Sequence, residues 1–376
     1  MITEGVAARR TALEVLARVE EDGAYANLLL GPTLSRSELS TEDRGFVTDL
    51  VYGTLRHQRG LDHLADRFLT SDPPGPARRA LRLGAYQLVH RPDVPDHAAV
   101  GATVQAAPKR YRGLVNAVLR KVATAAVEYP DVATRLSYPD WVVERLVADL
   151  GEERAVGALE AMDHPARPVV RDDGYVQDLA SQWVAAAVPA GPGDLVLDLC
   201  AAPGGKSTAI AASGAQVVAA DLQPHRVELI ARNVELTGAT GVLPVVADAL
   251  HAPLRPGVAD AVLLDAPCSG LGVLRRRPDA RWRLDPAAPD RLAALQRRLV
   301  DAAVPLVRPG GTFVYSVCTL TAAEGTGIDE HLRLEHPGLE PLPPLGAPWE
   351  PLGRGSLLLP QAASTDGMCL FRYRVT

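Results

Sequence analysis

The sequence has few cysteines and no long apolar run. The 376 residues include four cysteines, Cys200, Cys268, Cys318 and Cys369. They are separated by 68, 50 and 51 residues, and no two of them form a C-x-x-C pair. This spacing argues against a zinc site or a disulfide framework and favours reduced thiols. No uncharged apolar stretch reaches the roughly 18 residues that a membrane helix needs. We therefore expect no metal site, no membrane contact and a cytoplasmic location.

The chain also lacks a basic excess. Its formal net charge is -6, which argues against a protein that coats nucleic acid by bulk charge but allows an enzyme that binds RNA through a local basic patch. The first 16 residues, MITEGVAARRTALEVL, predict a charged amphipathic helix rather than a signal peptide. Hydrophobic residues make up 47% of the chain, enough for buried cores, and the length predicts two or three domains.

The hydrophobic pattern divides the chain into three parts. Residues 1–128 show helical spacing throughout, residues 129–172 predict a helical connector, and residues 173–376 alternate strands with helices, which indicates a mostly parallel α/β domain. The predicted strands of this last part are Leu195–Leu199, Gln216–Ala220, Val242–Ala247, Ala261–Leu264, Thr312–Ser316 and Leu370–Arg374. Its predicted helices are Val176–Val188, Ser207–Ser213, Pro224–Thr237, Pro289–Val307 and Ala322–His336.

A glycine-rich turn, DLCAAPGGKS, follows the first of these strands. Glycines at such a turn let the backbone approach a ligand closely. The end of the turn resembles a phosphate-binding P-loop, but Cys200 stands where that motif requires its first glycine. We therefore reject a nucleotide triphosphatase site.

Three acidic residues, Asp198, Asp221 and Asp248, end successive strand-like runs. Asp221 follows Asp198 by 23 residues, close to the spacing at which an acid binds ribose hydroxyls in nucleoside-binding folds. Asp248 is placed where it can meet an adenine amine. Three carboxylates suit a ligand with an adenosine and a cationic tail better than a dinucleotide, whose phosphates they would repel. The alternative is that each carboxylate caps the following helix.

Two further cysteines follow predicted strands and should meet at the carboxyl edge of the sheet: Cys268 in DAPCSG and Cys318 in YSVCT. A free cysteine is usually a small buried hydrophobe, and we favour that interpretation for Cys200 and Cys369 but not for this pair. A thiolate that adds to carbon 6 of cytosine makes carbon 5 nucleophilic toward a methyl sulfonium. A carboxyl such as Asp265 can assist at N3. Spacing alone leaves open which cysteine attacks.

These motifs resemble a known family. The stretches DLCAAPGGKST, DAPCSGLGVLRRRPDARW, LVRPGGTFVYSVCTL and DGMCLFRYR resemble the RsmB (Sun/Fmu) family of bacterial 16S ribosomal RNA cytosine-C5 methyltransferases, relatives of the NSUN enzymes. The stretches LVYGTLR, LRLGAYQLV and GLVNAVLRK resemble the NusB-like domain of that family. The resemblance implies an all-α NusB-like RNA-binding domain at 1–128, the connector at 129–172, and an α/β Rossmann-type methyltransferase domain at 173–376 that uses S-adenosylmethionine.

The resemblance also implies roles for single residues. Cys318 would attack carbon 6, Cys268 would assist release of the product, and Asp265 and Lys206 would complete the catalytic set. The cofactor-binding residues implied in the same way are Cys200, Ala201, Ala202, Pro203, Gly204, Gly205, Lys206, Asp221, Arg226, Asp248 and Asp265.

The expected substrate is cytosine 967 of 16S ribosomal RNA. We expect the enzyme to be a monomer that methylates this cytosine before the subunit is fully assembled. The alternatives are the same chemistry on transfer RNA, or an RNA-binding assembly factor with an idle methyltransferase domain; the retained cysteines and acids argue against idleness. Two departures from the family stand out. The stretch between Val170 and Gln177 is short where the family carries an insertion, and Cys369 replaces an aromatic, which suggests a packing role.

Two basic clusters are candidates for RNA contact. Arg275–Arg277, Arg281 and Trp282 follow the Cys268 motif, and this position favours RNA binding by arginine forks. The second cluster lies in the helical part, and a solvated charged face explains it equally well: Lys109, Arg110, Arg112, Arg120 and Lys121.

Overall fold

The computed structural model describes residues 5–376, and the chain divides into two compact units. The first contains the chain up to Val143 together with Arg277–Arg283, and the second contains Glu144–Arg276 and Leu284–Thr376. The beginning of the predicted N-terminal helix, residues 1–4, lies outside the described residues. Within residues 5–376, none of the helices has both the length and the apolar character needed to cross a membrane.

The first unit is helical. Ser40 caps the start of its third helix, since its hydroxyl accepts the Asp43 N–H at 3.1 Å. The core contains Leu16, Leu50 and Leu81, each at most 1% exposed. The helices are α1 (Val6–Glu21), α2 (Ala26–Ser35), α3 (Thr41–Arg56), α4 (Gln58–Asp66), α5 (Gly75–His90), α6 (Asp96–Ala106), α7 (Arg112–Val122), α8 (Val132–Arg135) and α9 (Asp140–Leu150), which crosses the division between the units.

The segment Arg277–Arg283 is part of the helical unit although it follows the Cys268 motif in sequence. The Arg281 side chain is 0% exposed, donates to the Arg56 carbonyl at 2.9 Å and lies 3.9 Å from the centre of the Tyr138 ring. The Trp282 indole N–H donates to the Leu55 carbonyl at 3.0 Å. The prediction that Arg281 binds RNA is therefore wrong, because its guanidinium is used inside the helical unit.

The second unit is built on one mixed sheet with the strand order β3-β2-β1-β4-β5-β9-β8-β7, and β6 pairs with β9. The strands are β1 (Leu195–Asp198), β2 (Gln216–Asp221), β3 (Val242–Val246), β4 (Ala259–Asp265), β5 (Val307–Val317), β6 (Leu339–Pro341), β7 (Glu350–Leu352), β8 (Gly355–Leu358) and β9 (Met368–Val375). Strands β1 to β5 run parallel, so their carboxyl ends form one edge, where ligands bind in folds of this class. The predicted all-α plus Rossmann-type α/β fold is confirmed.

The helices of the second unit follow the predicted alternation, with shifted ends. They are α10 (Glu152–Met162), α11 (Leu179–Ala186), α12 (Gly205–Ala211), α13 (Pro224–Thr237), α14 (Ala288–Ala303), α15 (Thr326–Glu335) and α16 (Pro360–Ala363). Helix α11 begins at Leu179 rather than Val176, because Asp178 caps it and Val176 pairs with Val170 in an isolated bridge. Helix α14 ends at Ala303, before a short 3-10 turn and then β5, which starts at Val307.

Candidate active site

The glycine-rich turn joins β1 to α12 in a conformation that needs glycine. Gly204 has φ 99°, and a Cβ there would lie 3.0 Å from the Ile230 side chain. A Cβ on Gly205 would lie 2.7 Å from the Tyr175 ring, and the Arg171 guanidinium donates to the Gly205 carbonyl at 2.6 Å. Tyr175 and Arg171 were not predicted from the sequence as site residues. The signal was the short stretch between Val170 and Gln177, which folds directly against this turn.

The end of β2 brings Asp221 and Arg226 to the same turn. The Asp221 side chain is 4% exposed; its Oδ2 accepts the Ala202 N–H at 3.3 Å and lies 3.4 Å from Arg226 Nη2. Arg226 also donates to the Ala202 carbonyl at 3.2 Å. Three residues predicted from the sequence to bind one ligand are therefore neighbours.

Asp248 behaves differently from Asp221. Its Oδ1 accepts the Leu250 N–H at 2.9 Å, and its Oδ2 lies 3.2 Å from His251 Nδ1. The backbone hydrogen bond from Leu250 and the contact with His251 lower the pKa of Asp248. One oxygen of Asp248 therefore caps the following 3-10 turn, as the helix-capping alternative predicts. The side chain as a whole remains 39% exposed after β3 and can still contact a ligand.

Asp198 is buried beneath the turn, and one of its oxygens lacks a partner. Oδ2 accepts the Ser207 hydroxyl at 2.7 Å, whereas Oδ1 has no hydrogen-bond partner within the described chain. Burial raises the pKa of Asp198 to about 7, against the opposing effect of the Ser207 hydrogen bond. A polar atom of this kind below a glycine turn, with Asp221 nearby, fits a ligand with hydroxyl groups and a cationic tail.

The two cysteines meet because their strands are paired in register. Asp265 of β4 and Ser316 of β5 are Cα partners, and Cys268 and Cys318 follow them by three and two residues. The two sulfur atoms lie 3.2 Å apart, and both side chains are partly exposed. The hydrogen bond to Cys318, followed by burial, raises the pKa of Cys268 well above that of an ordinary thiol. Cys268 is therefore a protonated thiol at neutral pH.

Lys206 and Asp265 form an ion pair at the same edge. Lys206 Nζ lies 2.6 Å from Asp265 Oδ2, and the Ser316 hydroxyl donates to Asp265 Oδ1 at 2.6 Å. Burial disfavours the charged amine, but the Asp265 carboxylate outweighs this effect and the pKa of Lys206 is raised. The pair thus contains an ammonium that can donate and a carboxylate that can accept.

Glu324, a buried acid that was not predicted from the sequence, lies next to the two cysteine loops. Glu324 is 0% exposed and accepts hydrogen bonds from residues that follow both Cys268 and Cys318, among them Ser269 and Thr321. In the sequence it resembles an acid near the start of a helix, so no local signal distinguishes it. Cys369 is 1% exposed and its thiol donates to the Thr319 carbonyl, which agrees with the predicted packing role.

Two of the arginines after the Cys268 motif, Arg275 and Arg276, are internal ion-pair partners, whereas Arg277 is exposed and its contact with RNA stays a prediction. The Arg275 side chain is 6% exposed and donates to Asp366 at 2.8 Å and to Asp178 at 2.7 Å. Arg276 contacts the same two carboxylates. The prediction of RNA contact is wrong for Arg275, since its charge is already neutralised. In the helical unit, by contrast, four cations of the second cluster are exposed: Lys109, Arg110, Arg120 and Lys121.

The described chain contains no group of three or more histidine, cysteine, aspartate or glutamate side chains arranged to hold a metal ion.

Comparison with known proteins agrees with both units. The family model described as 16S rRNA methyltransferase RsmB/F matches residues 185–373, and the NusB family model matches residues 6–124. Ribosomal RNA small subunit methyltransferase B of Thermus thermophilus is 38% identical over 92% of both chains. The probable ribosomal RNA small subunit methyltransferase B of Bacillus subtilis is 32% identical over 97% of this chain and 98% of its own. The crystal structure of PH0851, 22% identical, superposes with a TM-score of 0.79 over 98% of both chains, which supports the fold.

Proposed function

Because the chain belongs to the RsmB/F family of 16S rRNA methyltransferases, we propose that it methylates carbon 5 of a cytosine in 16S ribosomal RNA, the cytosine 967 of that family. Methylation of ribosomal RNA with S-adenosylmethionine is common to the family. The finer assignment rests on one observation, the 3.2 Å separation of the Cys268 and Cys318 sulfurs beside the Lys206–Asp265 pair.

The first step of the proposed reaction is attack by Cys318. Because Cys268 keeps its proton, it can donate a hydrogen bond to a thiolate on Cys318 and stabilise it. The Cys318 thiolate adds to carbon 6 of the cytosine, and the electron pair of the 5,6 double bond becomes available at carbon 5. The Lys206–Asp265 pair supports this step, since its ammonium has a proton to donate toward N3 while its carboxylate accepts.

S-adenosylmethionine, when bound, would supply an electrophilic methyl group on a sulfonium for carbon 5. In our proposal, Asp221 accepts hydrogen bonds from the ribose hydroxyls, and the turn from Cys200 to Gly205 brings its backbone close to the ligand. Asp248 can meet the adenine amine with the part of its carboxylate that is exposed, and Arg226 orients Asp221. The buried Asp198 contributes negative potential beneath a cationic tail.

The last step reverses the attachment. Once the Cys318 sulfur is bonded to carbon 6, it no longer carries a negative charge and no longer accepts a hydrogen bond from Cys268. The pKa of Cys268 should therefore fall toward its ordinary value, and its proton can leave to solvent. The Cys268 thiolate then removes the proton from carbon 5, directly or through water, and the carbon 6–sulfur bond breaks to regenerate the Cys318 thiolate.

The helical unit carries the proposed RNA-docking surface. The sequence left RNA contact and a solvated charged face as equal alternatives for the second basic cluster. Four of its cations are exposed and therefore available to phosphates: Lys109, Arg110, Arg120 and Lys121. Phosphate contact is the function that we propose for the NusB-like unit. We expect the protein to act as a monomer in the cytoplasm, on RNA that is not yet fully assembled into the subunit.

Bisulfite sequencing of ribosomal and transfer RNA from a deletion strain tests the substrate. Cytosine 967 should lose its resistance to deamination in the deletion strain, regain it with the intact gene, and stay unprotected with Cys318→Ala. Loss of protection in a transfer RNA instead would move the same chemistry to that substrate. If cytosine 967 remains methylated in the deletion strain, the proposal is refuted.

A further inference from the structure

The carboxylate of Glu324 receives hydrogen bonds from both catalytic loops. From the loop after Cys268, the Ser269 N–H donates to Oε1 at 2.8 Å and the Ser269 hydroxyl donates to Oε2 at 2.5 Å. From the loop after Cys318, the hydroxyls of Thr319 and Thr321 lie 3.1 Å and 2.9 Å from Oε2. A single buried side chain is thus bonded to the residue directly after each cysteine.

The surroundings of Glu324 fix its position from the other side. Gln296 of α14 donates to Oε1 at 3.1 Å and to the Pro267 carbonyl, next to Cys268, at 2.8 Å. The Tyr315 hydroxyl donates to the Glu324 carbonyl at 2.8 Å and lies 3.0 Å from the Gln296 amide oxygen. Neutral donors fill the acceptor positions of the carboxylate, and Glu324 takes part in no ion pair within the described chain.

Burial of a carboxylate is costly unless hydrogen-bond donors fill its acceptor positions. The donors around Glu324 therefore determine its geometry. An ionised carboxylate accepts from all of them, whereas a protonated acid or an amide would place a hydrogen against a donor. Movement of either loop away from the other would leave a buried charge with unfilled acceptor positions. The separation of the two sulfurs is therefore coupled to this carboxylate.

We propose that Glu324 is a positioning residue that holds the Cys268 and Cys318 loops at their working separation and places a negative charge beside the thiol pair. This inference rests on the two-cysteine reaction proposed above. The second role follows from charge. The ionisable groups that face Cys268 are Cys318, Glu324, Asp265 and Tyr315, and Glu324 is one of those that raise the pKa of Cys268. Lys206, which pairs with Asp265, is the cation of the site.

Glu324→Gln tests both roles because it keeps the shape of the side chain and removes its charge. Loss of the negative charge should lower the pKa of Cys268, so alkylation of Cys268 by iodoacetamide below that pKa should become severalfold faster, since the thiolate is the reactive form. The pH profile of the alkylation should move to lower pH. Cys200 is the internal reference, because the groups that shift its pKa do not include Glu324. Peptide mass mapping of each cysteine gives these rates without any RNA substrate.

The matched control is Asp329→Asn. Asp329 is another buried carboxylate, 6% exposed on α15, and it accepts the Tyr373 hydroxyl at 2.5 Å and Arg354 at 2.8 Å. It reproduces the loss of a buried acid near the sheet without touching the cysteine loops. We expect it to leave Cys268 alkylation and kcat near the wild-type values, while Glu324→Gln lowers kcat at least tenfold with unchanged KM for RNA and S-adenosylmethionine.

Each of these measurements can overturn one of the two roles proposed for Glu324. Unchanged Cys268 alkylation in folded Glu324→Gln would overturn the charge role, and equal losses of kcat in the two variants would overturn the positioning role. Uniform acceleration at Cys200 as well as Cys268 would show general loosening and refute the proposal. If Glu324→Gln does not fold, Thr321→Val removes one donor at constant shape, and it should lower kcat severalfold at unchanged KM; wild-type kcat would refute the proposal. Because alkylation needs no substrate, these results stay separate from any failure to methylate cytosine 967.

Discussion

The buried Asp198 carboxyl should make the protein less stable as the pH rises. Its pKa is raised from 3.8 to about 7 by burial, so between these values the unfolded chain has released a proton that the folded protein still holds. Stability therefore falls from about pH 4 to pH 7 and is lowest, for this group, above pH 7. One pKa unit corresponds to about 1.4 kcal/mol, so the full effect is on the order of 4 kcal/mol. About 2–3 kcal/mol of it falls between pH 5 and pH 7.

Asp198→Asn removes this dependence because an amide does not titrate. Urea denaturation at pH 5, 6, 7 and 8 should show the variant gaining about 2–3 kcal/mol relative to the wild type between pH 5 and 7, with no further change above pH 8. Other titrating groups cancel in this difference. Asp172→Asn, an exposed position in the same unit, should follow the wild type throughout. Parallel curves for Asp198→Asn and the wild type would refute the reasoning.

Four further predictions concern the site and its support. Asp221→Ala should weaken S-adenosylmethionine binding about tenfold or more in calorimetry, because a charged acceptor is lost; unchanged affinity in a folded variant would contradict this. With RNA and cofactor, Cys318→Ala should form no adduct, whereas Cys268→Ala should stall with RNA attached and give a slow band on a denaturing gel; the reverse pattern would exchange their roles. Arg275→Leu removes one of the two arginines that neutralise Asp178 and Asp366, so it should cost about 2–3 kcal/mol of unfolding free energy in urea, and a loss below about 1 kcal/mol would count against the network. The last prediction concerns the four exposed cations of the helical unit, Lys109, Arg110, Arg120 and Lys121. Their replacement with glutamine should weaken RNA binding at low salt and flatten the salt dependence of that binding, while the affinity for the cofactor stays unchanged. An unaltered salt slope would exclude these residues as phosphate contacts.

The sequence predicted those parts of the site in which the chemistry follows a strand directly. A buried strand leads straight into Cys268 and another into Cys318, and parallel strands share their carboxyl edge, so proximity of the thiols could be inferred without coordinates. The place of Asp221 in the site could be predicted for the same reason, since it ends the buried strand β2. Strand β6 to strand β8 were not predicted, because runs of three or four residues carry too little alternation to be distinguished from loop.

Charged residues that pair over long sequence distances could not be interpreted in this way. Arg275 and Asp178 are 97 residues apart, and Arg281 bonds to the carbonyl of Arg56 across 225 residues. Near a catalytic motif, an arginine that binds RNA and an arginine that neutralises a buried acid have the same local pattern. Glu324 poses the same problem for acids. Only the fold, which decides which charges are buried together, separates these cases.

The position of Arg277–Arg283 has a consequence for any experiment on the helical unit. This segment lies nine residues after Cys268 at its start, yet it completes the core of a unit whose other residues precede Glu144. A deletion that removes the chain before residue 129 would take away the Arg56 carbonyl, one of the backbone carbonyls to which Arg281 donates, and the Leu55 carbonyl to which Trp282 donates. Because this segment is continuous with the chain that carries Cys268, lost methylation in such a deletion would not distinguish lost RNA docking from a disturbed active site. The role of the helical unit must therefore be tested by surface substitutions in the intact chain, where the thiols stay in place.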